Sequence, residues 1–136
     1  MTLVDAGPLV SLLDRDDTFH AACFAAAARL APGELLTTWP CFTEDMYLLR
    51  GVGGYRYQAL LWQMLDAGRL ELCELTVDEI SRAAALMSQY HDTPMDLADA
   101  TLVSIAESRG FRQIFTLDSD FRFYRLADGS VLDVIP

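Results

Sequence analysis

The sequence predicts an α/β chain built on a mostly parallel sheet of four to five strands, with helices over both faces. Three observations lead there. Short apolar runs alternate with longer segments of helical periodicity through all 136 residues. Acidic residues follow two of those runs at once, where a strand would turn into the next element. No Pro, Gly or Ser cluster is long enough to act as a linker, so a single domain over residues 1–136 is expected, with one core that a chain of this length can fill.

Thr2 to Val4 reads as a short buried strand ending at Asp5, and Ala6-Gly7-Pro8 turns the chain into a helix that runs to Leu13. Asp14 to Asp17 breaks it, and Thr18 is placed to cap a second, Ala-rich helix from Phe19 to Leu30, which Pro32-Gly33 ends. Glu34 to Thr37 is the second strand. Pro40 opens the helix that carries Glu44 and runs to Arg50, with Gly51, Gly53 and Gly54 as its stop. Tyr55 to Asp66 is the next helix, and Gly68 separates it from a strand at Leu70 to Glu74. Thr76-Val77-Asp78-Glu79 is a capping box, and it leads into a helix expected to bury Ile80, Ala83, Ala84 and Met87. Asp96 to Glu107 is nearly apolar all round, as a helix packed on both sides would be, and Gly110 closes it. Gln113 to Thr116 is a strand with Asp118 directly after it, and Val131 to Val134 is the last.

Composition narrows the chemistry. At 52% hydrophobic and 22% charged the chain is that of an ordinary globular domain. No apolar run nears the roughly 20 residues that span a bilayer, and the N-terminus lacks the charged flank and long apolar stretch of a signal peptide, so a cytoplasmic protein without membrane contact is expected. Cys23, Cys41 and Cys73 are odd in number and far apart, and read as small core residues rather than a disulfide framework or zinc site. All ten basic residues are Arg, and the absence of Lys excludes Walker-type nucleotide binding, Schiff-base catalysis and phosphoryl-Asp switches that need a Lys. A formal charge of -10 argues against diffuse attraction to nucleic acid and suits a basic partner.

The acids carry the signal. In open parallel sheets ligands gather beyond the carboxyl ends of the strands, and Asp5 and Asp118 each follow an apolar strand directly. Taken singly, either is also an ordinary turn former. Asp99 lies in the apolar helix Leu97 to Ala106, where a buried carboxylate costs several kcal/mol unless something positive sits beside it. Asp96 stands three residues earlier on the same helix face, and is equally an N-cap. Glu44 lies in the first turns of its own helix, and spacing does not choose between it and Asp45. Two carboxylates about 4 Å apart repel by roughly 4 kcal/mol at an effective dielectric near 20, so such a cluster changes its protonation or binds cations. Oxygen donors without His or Cys suit Mg2+, with Mn2+ as a substitute.

Leu3-Val4-Asp5-Ala6-Gly7-Pro8-Leu9, then Glu44, then Pro94-Met95-Asp96-Leu97-Ala98-Asp99-Ala100, then Phe115-Thr116-Leu117-Asp118-Ser119-Asp120-Phe121 resemble PIN-domain proteins, closely the toxin subunits of VapBC-type toxin-antitoxin pairs. The resemblance covers essentially the whole chain. It implies a three-layer α/β/α sandwich and Mg2+-dependent cleavage of RNA by a metal-activated water, leaving a 5'-phosphate and a 3'-hydroxyl. It also implies inhibition by a cognate antitoxin whose C-terminal segment covers the site. Carried over by position, Asp5, Glu44, Asp99 and Asp118 correspond to the family's catalytic acids, with Asp96 as an accessory metal ligand. The turn from Thr116 to Phe121 is one residue shorter than the family's pattern, which leaves Asp118 and Asp120 as alternatives for the acid that faces the metal.

The expected function is therefore a metal-dependent endoribonuclease toxin. The alternative is a PIN-fold protein whose main role is complex formation, with nuclease activity weak or lost. Other features read more plainly. In Phe121-Arg122-Phe123-Tyr124-Arg125 the phenylalanines are expected in the core and the arginines in solvent, with base stacking as the rival reading. Thr116 is a strand-end hydroxyl beside Asp118 that satisfies backbone groups or bonds a substrate phosphate. His20 and His91 have no nucleophile motif near them. Tyr47, Tyr55, Tyr57 and Trp62 concentrate aromatic surface on the two middle helices, either as core or as a homodimer or antitoxin contact.

Overall fold

The structure is a computed structural model describing residues 1–136. Five parallel strands, β1 (Thr2–Val4), β2 (Leu35–Thr38), β3 (Leu70–Cys73), β4 (Gln113–Phe115) and β5 (Asp133–Ile135), form one sheet in the order β3-β2-β1-β4-β5. The chain winds outward from β1 in one direction through β2 and β3, then returns to β1's other side for β4 and β5. The connections diverge between β1 and β4, and a crevice opens beyond the carboxyl ends of that pair. Leu3 is opposite Ile114 and Val4 opposite Phe115, and the Asp5 amide donates to the Phe115 carbonyl at 2.9 Å.

Period-two alternation splits the strand side chains between two cores. Val4, Leu35 and Phe115 join Leu9, Phe42, Leu49 and Leu61 from α1 (Ala6–Leu13), α3 (Trp39–Gly53) and α4 (Tyr55–Asp66), with Cys23 and Ala26 from α2 (His20–Ala27). Leu3, Leu36 and Ile114 join Ala83 and Leu86 from α5 (Val77–Gln89) and the buried run of α6 (Leu97–Arg109). The result is three layers, helices over both faces of one parallel sheet. All nine residues from Ala98 to Ala106 are buried, which is why α6 shows no amphipathic period. The three cysteines are free and buried. No helix is long and apolar enough to cross a membrane.

Several local expectations are corrected. Thr18 does not cap α2, whose N-cap is Phe19 without a side-chain bond. Asp17 takes that role in part, its Oδ2 accepting from the Phe19 amide at 2.9 Å and from Ser11 Oγ at 2.7 Å. Gly51 lies inside α3 rather than ending it, whereas Gly53 is the last residue of the helix and the chain turns at Gly54, whose φ of 74° suits glycine. Gly53 is needed for space, since a Cβ there would stand 2.4 Å from the Tyr57 ring. The last strand starts at Asp133 rather than Val131.

On α5 the buried face is Glu79, Ala83, Leu86 and the following Tyr90, while Ile80, Ala84 and Met87 face outward. The rotation follows from Glu79, which turns inward because Arg109 of α6 grips both its carboxylate oxygens at 2.9 Å and Ser108 bonds it as well. Phe121 is buried as expected, but Phe123 is exposed, because the 3-10 turn Ser119–Arg122 sends residues 121 and 124 inward instead. Tyr47 and Tyr55 are exposed, and Trp62 is partly so.

Candidate metal centre

Asp5 leaves the end of β1 and caps α1. It is 8% exposed, its Oδ1 accepts from the Ala6 amide at 2.8 Å, and its Oδ2 accepts from Thr116 Oγ1 at 2.9 Å. Thr116, just past β4, also accepts from the Asp118 amide at 3.0 Å, so one hydroxyl ties together the acids that follow two adjacent strands. Asp118 in turn begins the 3-10 turn, its Oδ1 accepting from the Asp120 amide at 2.9 Å.

Asp99 enters from the first turn of α6 and is 6% exposed. Two residues on, Thr101 Oγ1 lies 2.8 Å from Thr38 Oγ1 at the end of β2 and pins that turn to the sheet. The hydrogen-bonding partner of the Asp99 carboxylate is the Tyr124 hydroxyl, which donates to Oδ2 at 3.1 Å. Asp5, Asp99 and Asp118 each contribute a carboxylate oxygen to a group whose members all lie within 4.8 Å of one another. Asp118 belongs to this group and Asp120 does not.

The other two predicted residues stand at the rim. Asp96 is the N-cap of α6, its Oδ1 accepting from the Asp99 amide at 2.8 Å. Glu44 is exposed on α3. Both line an open groove with Trp39, Pro40, Thr43, Tyr47, Leu97 and Ala98. Asp45, the next residue of α3, is buried instead. It is 0% exposed, and neither carboxylate oxygen finds a hydrogen-bond partner.

Electrostatics follow from this crowding. Burial first, then the charges of Asp96 and Asp5, push the Asp99 carboxyl well above the usual carboxylate range, against the Tyr124 bond that lowers it. Burial also raises Asp5, opposed by the Ala6 and Thr116 hydrogen bonds and reinforced by Asp118 and Asp96. Glu44 is raised by desolvation and then by Asp96, Asp5 and Asp118, so it shares the cluster's field although its oxygens stand outside the convergent group. Burial, followed by repulsion from Asp5 and Glu44, drives Asp45 from 3.8 up to about 10.

No basic side chain relieves the charge. The ion pairs of the molecule are Arg82–Glu107, Arg109–Glu79, Arg112–Asp128 and His91–Asp92, all away from the cluster. Arg125 spends its guanidinium on the carbonyls of Arg122, Phe123 and Tyr124. Three convergent carboxylates with hard oxygen donors, fixed by neutral hydroxyl and amide donors and lacking a cationic partner, fit a divalent cation of the Mg2+ or Mn2+ type. Two features escaped the sequence reading. The Tyr124 contact to Asp99 was masked by the aromatic-Arg interleaving, and the inward turn of Asp45 carried no signal beyond its place one residue, about 100° of helix, from Glu44.

Known proteins resemble the chain along nearly its whole length. The sequence profile described as PIN domain matches residues 2–128. The protein named Ribonuclease VapC26 of Mycobacterium tuberculosis (strain ATCC 25618 / H37Rv) is 28% identical over 139 residues, covering 98% of this chain and 99% of its own. Among solved structures, Mycobacterium tuberculosis VapC20, described as a Sarcin-Ricin loop cleaving toxin, superposes with a TM-score of 0.85 at 18% identity over 100% of both chains. VapBC2 from Rickettsia felis, bound to a DNA fragment from its promoter, gives a TM-score of 0.68 at 12% identity over 99% of this chain and 98% of that one.

Proposed function

The chain belongs to the PIN-domain family, and on that premise we propose that it is a metal-dependent ribonuclease, the toxin of a toxin-antitoxin pair, acting as one domain. The observation that carries this reading is the group of oxygens from Asp5, Asp99 and Asp118 within 4.8 Å of one another, with no basic side chain paired to any of them. The relative named a ribonuclease supports the reaction class, and the structural neighbours described as a toxin and as a VapBC complex support the biological pairing.

Asp5, Asp99 and Asp118 would hold the cation, with Glu44 and Asp96 at the rim as the remaining acids of the site. A divalent cation held there supplies the Lewis acidity that makes water a nucleophile near neutral pH and offsets the charge gathering on the scissile phosphate. The protein's own groups orient the ligands. Thr116 holds the Asp5 carboxylate and the Asp118 backbone in register, and the Asp120 amide fixes one oxygen of Asp118. Exposed Arg122, in the turn directly after Asp118, is placed to meet a backbone phosphate. A net charge of -10 leaves the protein dependent on local contacts for RNA and complementary to a basic antitoxin segment.

The test is cleavage of RNA with Mg2+ or Mn2+, against an EDTA control and Asp99→Asn. Loss of cleavage in both supports the reading, and full activity in either refutes it. A protein that binds no Mn2+ but still pairs with its antitoxin would have complex formation as its function.

A further inference from the structure

The geometry points to Tyr124 as a positioning residue that fixes the Asp99 carboxylate for cation binding, a role that rests on the metal-site reading above. Tyr124 is 3% exposed, and its hydroxyl lies 3.1 Å from Asp99 Oδ2 and 3.2 Å from the Pro94 carbonyl. Both acceptors belong to the entry into α6, so one phenol proton is shared between the backbone that precedes the helix and the acid in its first turn. The ring cannot swing away. It packs edge-on against Tyr90, with centroids 5.2 Å apart, and against Phe121 at 5.3 Å. Tyr90 in turn accepts from the Arg125 amide at 2.9 Å and clamps the backbone directly after Tyr124 to the end of α5.

The segment from Asp118 to Tyr124 therefore acts on the acid group from both its ends. Asp118 contributes an oxygen directly, and Tyr124 reaches across to hold the acid that α6 contributes. Asp99 needs such a partner because no cation pairs with it, and a carboxylate free to change rotamer would swing toward solvent and away from Asp5. A neutral donor suits the task, since it occupies Oδ2, leaves Oδ1 without a protein donor, and brings no positive charge to compete with a cation. Partners of this kind that orient a ligand are commonly worth about 10–100-fold in metal affinity.

Tyr124→Phe keeps the ring and its two aromatic neighbours while deleting the hydroxyl. The readout is the Mn2+ dissociation constant of the full chain by calorimetry, with the thermal midpoint in EDTA recorded alongside. The expected result is an affinity at least about tenfold weaker. A control, Leu126→Ala, loosens the same core from an apolar side chain outside the group of Asp5, Asp99 and Asp118, and is expected to lower the midpoint while leaving the Mn2+ affinity within about twofold. The assignment is overturned if Tyr124→Phe binds Mn2+ like the native protein, or if Leu126→Ala weakens binding as much. It is also overturned if Tyr124→Phe does not fold, because the hydroxyl would then serve chiefly to hold the entry into α6 through the Pro94 carbonyl rather than to orient Asp99. Absence of Mn2+ binding by the native protein would instead refute the metal-site reading on which the role rests.

Discussion

Replacing Asp45 by Asn should stabilise the protein, and the size of the gain follows from the structure. The side chain is 0% exposed on α3 with both oxygens unpartnered, and burial together with Asp5 and Glu44 raises its carboxyl from 3.8 to about 10. An acid raised in this way contributes fully to stability only below its unfolded value, and loses that contribution progressively as pH rises toward the folded one. Folding at pH 7 must then drive a proton onto a group that ionises at 3.8 in the unfolded chain. At about 1.4 kcal/mol per pH unit, that gap is worth about 4 kcal/mol, and the figure does not depend on how far above 7 the folded value lies. Asn carries no such cost. It leaves polar atoms in the same dry site, so the desolvation common to both side chains cancels to first order.

The expected gain is on the order of 2–4 kcal/mol at pH 7, shrinking to about 1–2 kcal/mol at pH 5. Urea unfolding in EDTA at pH 5, 7 and 9 measures it, the chelator keeping cations from the neighbouring acids. Equal stabilities at pH 7, or curves for the two proteins that run parallel across the series, would mean that Asp45 ionises in the folded state or reaches a donor, and would refute the reasoning.

Three further outcomes are expected. Glu79 is held down to about 2, first by the hydrogen bond from Arg109, so its contribution is present above the usual carboxylate range and lost as pH falls toward 2. Glu79→Gln should cost about 1–3 kcal/mol at pH 7 in a urea titration and nearly nothing at pH 2, and a loss that is the same at both would contradict the ion-pair account. Thr116→Val removes the hydroxyl between Asp5 and the Asp118 amide and should weaken Mn2+ binding about tenfold by calorimetry; unchanged affinity would reduce Thr116 to a backbone role. Asp118→Asn should abolish Mn2+ binding while Asp120→Asn changes it less than about threefold, and the reverse order would transfer the ligand role to Asp120.

Much of the architecture was legible because it rests on local signals. Apolar runs followed at once by Asp5 and Asp118 marked two strand ends, and the pairing of β1 with β4 puts those ends side by side. Asp99 stood out because an acid in an all-apolar helix needs an explanation, and the structure supplies a tyrosine hydroxyl and two neighbouring acids in place of a basic partner. What escaped was set by partners far along the chain. The face of α5 depends on Arg109, thirty residues after Glu79, and the role of Tyr124 depends on a 3-10 turn that shifts which aromatics point inward. Glu44 and Asp45 are neighbouring acids about 100° apart around the helix, and tertiary packing leaves one lining the groove and buries the other.

Anomalous diffraction from crystals grown with Mn2+ tests the central claim most directly. The account predicts one strong peak among Asp5, Asp99 and Asp118, with metal-oxygen distances of about 2.1 Å. Well-ordered acids with no peak between them, or with an arginine from the same chain folded into their midst, would contradict it.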